Sequence, residues 1–150
     1  MRKRSALGIS VLACLLVLAT AIPAHAAPRL RLYRGQTSQS QNIAFIVART
    51  DAGRFMSRIR LNSTLTCEDQ TTQGFGIDFG VARRDGAITD GEFSFDQNLG
   101  NIAVHVAGEL GSLTGQGTAS MLTASLTSDE QAQLCTTGDL TWTVDFVRRL

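Results

Sequence analysis

After Lys3 the sequence contains no lysine, after His25 it contains a single histidine, and it carries only one tryptophan and one tyrosine. Each scarcity excludes something. Beyond residue 26 the cations are eleven Arg set against thirteen Asp and Glu, a formal balance of −2. That is not the basic composition of a nucleic-acid binder. The lone His105 is the one candidate base for Ser-His-Asp chemistry, and no G-x-S-x-G elbow occurs. No third soft ligand lies near a cysteine, so the thiols do not suggest a metal centre. No twelve-residue calcium loop surrounds the acids of Asp85-Gly86 or Asp90-Gly91-Glu92, which read as turns. No second apolar run of membrane length follows the first.

That first run is what is present at the N-terminus. Arg2, Lys3 and Arg4 precede an uncharged apolar stretch over residues 7–22, then Pro23 and the small residues of Ala24-His25-Ala26. This is the three-part form of a secretory signal peptide over residues 1–26, with cleavage after Ala26. The stretch is short for a permanent span, which takes about 20 apolar residues. An uncleaved anchor is the alternative. A lipoprotein reading at Cys14 fits less well, because a bulky leucine stands two positions before it and the apolar run continues past it. The expectation is a secreted protein, periplasmic or held at the cell surface if the envelope retains it, with no membrane span after cleavage.

Cleavage leaves two cysteines, Cys67 and Cys135, which in an exported chain read as one disulfide, with two free buried thiols as the alternative. By chain entropy a loop of that length contributes about 4 kcal/mol. The alternation Phe55, Ser57, Ile59, Leu61, Ser63, Leu65, Cys67 aims the first sulfur at a core.

The polar stretch over residues 27–41 reads as a partly flexible lead-in, and residues 42–150 as a single β domain. Apolar residues there recur with period two between closely spaced turns, the pattern of an all-β sandwich or barrel. Residues 43–48 read as a strand covered on both sides. The long alternation ending at Cys67 follows, with Met56, Arg58 and Arg60 among its outer positions. Phe75, Ile77, Phe79 and Val81 give an inner row, as do Phe93 with Phe95, then Ile102, Val104 and Val106, and finally Leu140, Trp142, Val144 and Phe146. Ser128-Asp129-Glu130-Gln131 has the form of a capping box and predicts a short helix over residues 129–134. The expected fold is an antiparallel β-sandwich or flattened barrel of seven to eight strands, with one short helix and one disulfide.

Gly35-Gln36-Thr37, Cys67-Glu68-Asp69, Gly91-Glu92-Phe93-Ser94, Val106-Ala107-Gly108-Glu109-Leu110, Gly115-Gln116-Gly117-Thr118 and Cys135-Thr136-Thr137-Gly138, with Trp142 after them, occur in a telling order. Together they resemble a group of small secreted bacterial β proteins, common in actinobacteria, that carry no assigned function. The resemblance implies structural roles for these positions and a Cys67–Cys135 bridge, and it transfers no catalytic residue.

Function is narrowed by elimination. Seven Arg and one acid fall within residues 27–66, while twelve acids and two Arg fall within residues 67–146. Basic and acidic strands are expected to meet across the sheets, with an Arg-lined face for an anionic partner as the alternative. Asp78, Glu92, Asp96 and Glu109 are available to a glycosidase, which needs only two carboxylates. His105, between Ala103 and Ala107, reads as a surface residue. Every aromatic except Tyr33 belongs to an expected core face, which argues against a sugar-stacking platform. The leading reading is an exported non-enzymatic module that contacts a protein or cell-envelope component, without nucleic acid. A small extracellular hydrolase using acidic residues and a carbohydrate-binding domain are the alternatives. No catalytic residue, cofactor or metal is assigned.

Overall fold

In the computed structural model, residues 26–126 and 132–150 are described. All but one residue of the expected signal peptide lie outside them. Among the described residues there are ten strands: β1 (Arg29–Thr37), β2 (Asn42–Thr50), β3 (Gly53–Cys67), β4 (Thr72–Gly80), β5 (Ala87–Ile88), β6 (Glu92–Leu99), β7 (Ile102–Leu110), β8 (Thr114–Leu126), β9 (Ala132–Thr136) and β10 (Leu140–Arg149). Every pairing is antiparallel. The count exceeds the expected seven to eight because β1, the two-residue β5 and the short β9 are strands as well.

The sheet folds over on itself. β4, β3, β2 and β1 form one layer and β6, β7 and β8 the other. β10 joins them by pairing with β1 along one edge and with β8 along the other. β9 bridges the same two layers between the far ends of β3 and β8. The result is a flattened barrel, closed on the side of β10 and β9, with β4 and β6 as outer strands.

Trp142 shows how the layers are locked. It lies on β10 between Thr37 of β1 and Gly117 of β8, and is 1% exposed. Its indole meets Phe45 of the first layer edge-on at 4.9 Å and stacks on Phe93 of the second at 5.9 Å. Its Nε1 donates to the Thr118 carbonyl at 2.9 Å, so the one polar atom of the ring is satisfied. Gly108 and Gly117 sit opposite each other and open the slot for the ring: a Cβ on Gly117 would lie 2.5 Å from the indole.

The segment expected as a lead-in is instead β1, a correction with a clear cause. Its Gln/Ser-rich part is the turn of a β1–β2 hairpin, with Ser40 at φ 58°. Tyr33, the aromatic that seemed spare, is fully buried and donates its hydroxyl to the Gly111 carbonyl at 3.1 Å. The expected short helix is also corrected. Residues 132–134 belong to β9, paired with Ser125, Leu126 and Ala124 of β8. Its start, residues 129–131, lies outside the described residues. Cross-strand pairing here overrides the local capping signal.

One inner row changes face part-way. Ile46 pairs with Arg58 but Val47 pairs with Met56, so Ser57 is an extra residue in β3. Such a bulge shifts the alternation by one. Met56, expected outside, is therefore fully buried, and Phe55, expected inside, turns out beside Arg83. The Ser57 hydroxyl donates to the Ile46 carbonyl at 2.9 Å across the bulge. Beyond it Ile59, Leu61, Ser63, Leu65 and Cys67 point inward as expected.

Cys67 and Cys135 are directly opposed on β3 and β9 and form the disulfide, with their Cα atoms 3.9 Å apart. The bridge fastens one end of the barrel as Trp142 fastens the other.

Candidate functional site

The two layers present different outer faces. On the first, register places Leu32, Ile46 and Arg58 in one cross-strand row, and Arg34, Ala44, Arg60 and Asp78 in the next. These residues line an open groove of about 520 Å³, with Leu150 beside it. Leu32 is only 7% exposed although it points away from the core. β2, expected to be covered on both sides, is covered on one: Ala44 and Ile46 are half-buried on its outer face and line the open groove.

Above the floor stand three guanidiniums. Asp78 holds two of them: Arg58 Nε donates to Oδ1 at 2.6 Å, while Arg60 Nη2 and Nε donate to Oδ2 at 2.6 and 3.0 Å. The hydrogen bonds from Arg58 and then Arg60 hold the Asp78 carboxyl below the ordinary carboxylate value, and the bond to Asp78 raises Arg58 in turn. Both arginines remain more than half exposed, so the cluster contributes little to stability. What it does is position two cations side by side with donors left over. Arg34 makes no side-chain hydrogen bond or ion pair among the described residues, although Asp145 stands opposite it in register.

The remaining arginines of the N-terminal set divide. Arg31 lies over the Phe146 ring at 5.1 Å, and Arg54 donates to the carbonyls of Leu110 and Gly111 across the layers. Arg29 and Arg49 face each other as like charges in register. Only Arg58 and Arg60 meet an acid of the C-terminal set among the described residues. The expected internal pairing of basic and acidic strands is thus confined to Asp78.

The outer face of the second layer carries a different constellation. His105 Nδ1 lies 2.8 Å from Asp96 Oδ1, and Ser120 is the residue opposite His105 on β8. The sequence order Asp, His, Ser across three strands resembles a triad on paper. Asp96 is 83% exposed, however, and no hydrogen bond joins Ser120 to His105 among the described residues. The backbone around Ser120 is engaged in the β7–β8 ladder, leaving no paired N–H donors for an oxyanion. The geometry assembles an imidazole on a carboxylate, not a hydrolytic centre. Glu92 and Glu109 also oppose each other in register, both exposed, with no cleft around them. Asp78, the fourth acid considered, is the arginine clamp. Asp85 and Asp90 lie in turns, and no group of three metal-ligating side chains occurs among the described residues.

Sequence reading missed two things here. The Arg34–Arg58–Arg60 grouping needs the β1–β2–β3 register, since alternation places Arg58 and Arg60 outside but not beside Arg34. The Asp96–His105 contact needs the β6–β7 register, which the Asn98 to Asn101 turn signals but does not fix. No helix among the described residues is long and apolar enough to cross a membrane. The chain matches no protein-family model, no curated protein and no solved structure.

Proposed function

We propose that the protein is an exported, non-enzymatic interaction module that uses the arginine face of its first layer to hold an anionic protein or cell-envelope component. The observation that carries this reading is the Asp78 clamp. It fixes Arg58 and Arg60 beside Arg34, which makes no side-chain ion pair among the described residues, over an apolar floor, and a guanidinium fork suits carboxylate and phosphate oxygens. Export is supported by the signal-peptide pattern and by a disulfide that persists outside the cytoplasm. The resemblance to small exported actinobacterial β proteins points the same way.

Sedimentation with a bacterial cell-envelope fraction tests the reading. The purified protein is expected to pellet at about 0.1 M salt and to be released at about 1 M, where the screening length falls to roughly 3 Å. Arg34→Glu with Arg60→Glu should abolish pelleting while leaving the circular dichroism spectrum unchanged. Pelleting indifferent to both salt and the charge reversals would remove the face from the account.

A further inference from the structure

The face is more than a charged patch, because its cations stand at the rim of a groove with a hydrocarbon floor. We propose that the groove is a site for a free single-chain anionic amphiphile, a carboxylate or phosphate head on an alkyl tail. The inference rests on the anionic-partner reading and gives it a ligand class.

Three observations converge on it. The first is donor count. Arg58 commits Nε, and Arg60 commits Nε and one Nη, to Asp78, so each keeps further N–H donors on the groove side of the clamp. Asp78 uses both oxygens on these two arginines, which leaves a net positive charge at the rim. Arg34 adds a third cation, with no side-chain hydrogen bond or ion pair among the described residues and with Asp145 opposite it in register. The second is the floor. Leu32 and Ile46 are cross-strand neighbours whose side chains point away from the core, with Ala44 beside them. An inorganic anion needs the arginines but has no use for that strip; a tail does. The third is size. A groove of about 520 Å³ falls in the range of small-molecule sites, roughly 300–1,000 Å³. Its limited extent favours a free amphiphile over a bilayer surface, where a polybasic segment needs no floor.

Chemical-shift mapping of the purified protein with sodium decanoate below its micelle concentration tests this. Decanoate is expected to move the Leu32 and Ile46 methyl signals together with the Arg34 and Arg60 Hε signals, saturably. Arg34→Gln should weaken binding by about tenfold or more, the order for losing one charged hydrogen-bond partner. Ile46→Thr should weaken decanoate while leaving inorganic phosphate unaffected. Decanol, with the tail and no charge, should bind more weakly than decanoate. Equal affinities for decanoate and inorganic phosphate would reduce the groove to a simple anion site, overturning the inference and sparing the reading beneath it. Binding to phosphatidylglycerol vesicles that decanoate does not compete away would assign the face to a membrane surface and overturn it too. No decanoate binding, with envelope pelleting intact, would do the same. Loss of both signals would remove the inference and the reading together.

Discussion

The first layer gathers Arg34, Arg58 and Arg60 over Leu32 and Ile46, whereas the second exposes Asp96, His105 and Ser120, with Glu92 opposite Glu109. Both faces are outer sides of antiparallel ladders packed on one core. They differ because the chain runs through the first layer as consecutive hairpins β1–β2–β3–β4, and through the second as β6–β7–β8. Residues close in sequence stay close in space along such a meander. A sequence whose arginines cluster early and whose acids cluster late therefore folds into a molecule with segregated faces. The sorting is a consequence of topology and needs no long-range pairing of charges.

The largest test asks whether the two layers share a core at all. Trp142→Ala empties the slot between Phe45 and Phe93 and should cost about 3–5 kcal/mol, read by urea denaturation followed by circular dichroism. The transition should stay single. Two separated transitions would show that the layers are independent units.

Removing the disulfide is next. Cys67→Ser with Cys135→Ser opens a loop of 68 residues' separation and should lower stability by about 4 kcal/mol, by the same denaturation measurement. A negligible loss would mean that β9 is not held to β3 in solution. Reduction of the native protein should follow the same direction.

Sharper still is a comparison between the faces themselves. His105→Ala removes the imidazole of an exposed pair and should leave thermal stability and envelope pelleting unchanged, because the proposed contact lies on the other face. A loss of pelleting at unchanged stability would move the site from one layer to the other.

The smallest effect is protonic. The Asp78 carboxyl titrates below the ordinary value of about 3.9 because Arg58 and Arg60 favour its charged form. A depressed folded-state value means that its contribution is present above the ordinary carboxylate value. It is lost as pH falls through the lowered one. Carbon-detected titration should find the Asp78 midpoint below the ordinary carboxylate value of about 3.9, and Arg58→Gln should move it upward. A midpoint at the ordinary value would dissolve the clamp.

Much of the fold was legible in the sequence, for reasons particular residues make plain. The inner row from Ile59 to Cys67 and that of Leu140, Trp142 and Val144 could be read because one side is core and the other solvent. Alternation fails where a single inserted residue changes the count, and Ser57 left no mark of its own in the sequence. β1 was hidden because the glutamines and serines at its end and just after it describe a turn, while Leu30, Leu32 and Tyr33 are too few to announce a strand. The residues 132–134 follow a helix-start signal yet extend into β9, since a five-residue strand takes its conformation from β8 and the disulfide beside it. The arginine groove was legible only as a bias in composition. Its geometry depends on three registers that no local pattern encodes.

The closure through β10 has a temporal meaning. β10 is the last of the described strands in the sequence, yet β1, the first of them, has β10 along one edge. The Trp142 slot, too, stays empty until then. A chain delivered from its N-terminus can form the β1–β2 and β6–β7 hairpins early, but it cannot close until its final segment is free. Pairings so distant in sequence are slow, on the millisecond-to-second scale of β-rich domains. Closure of the barrel therefore waits on the last of its described strands, whatever hairpins have formed before it.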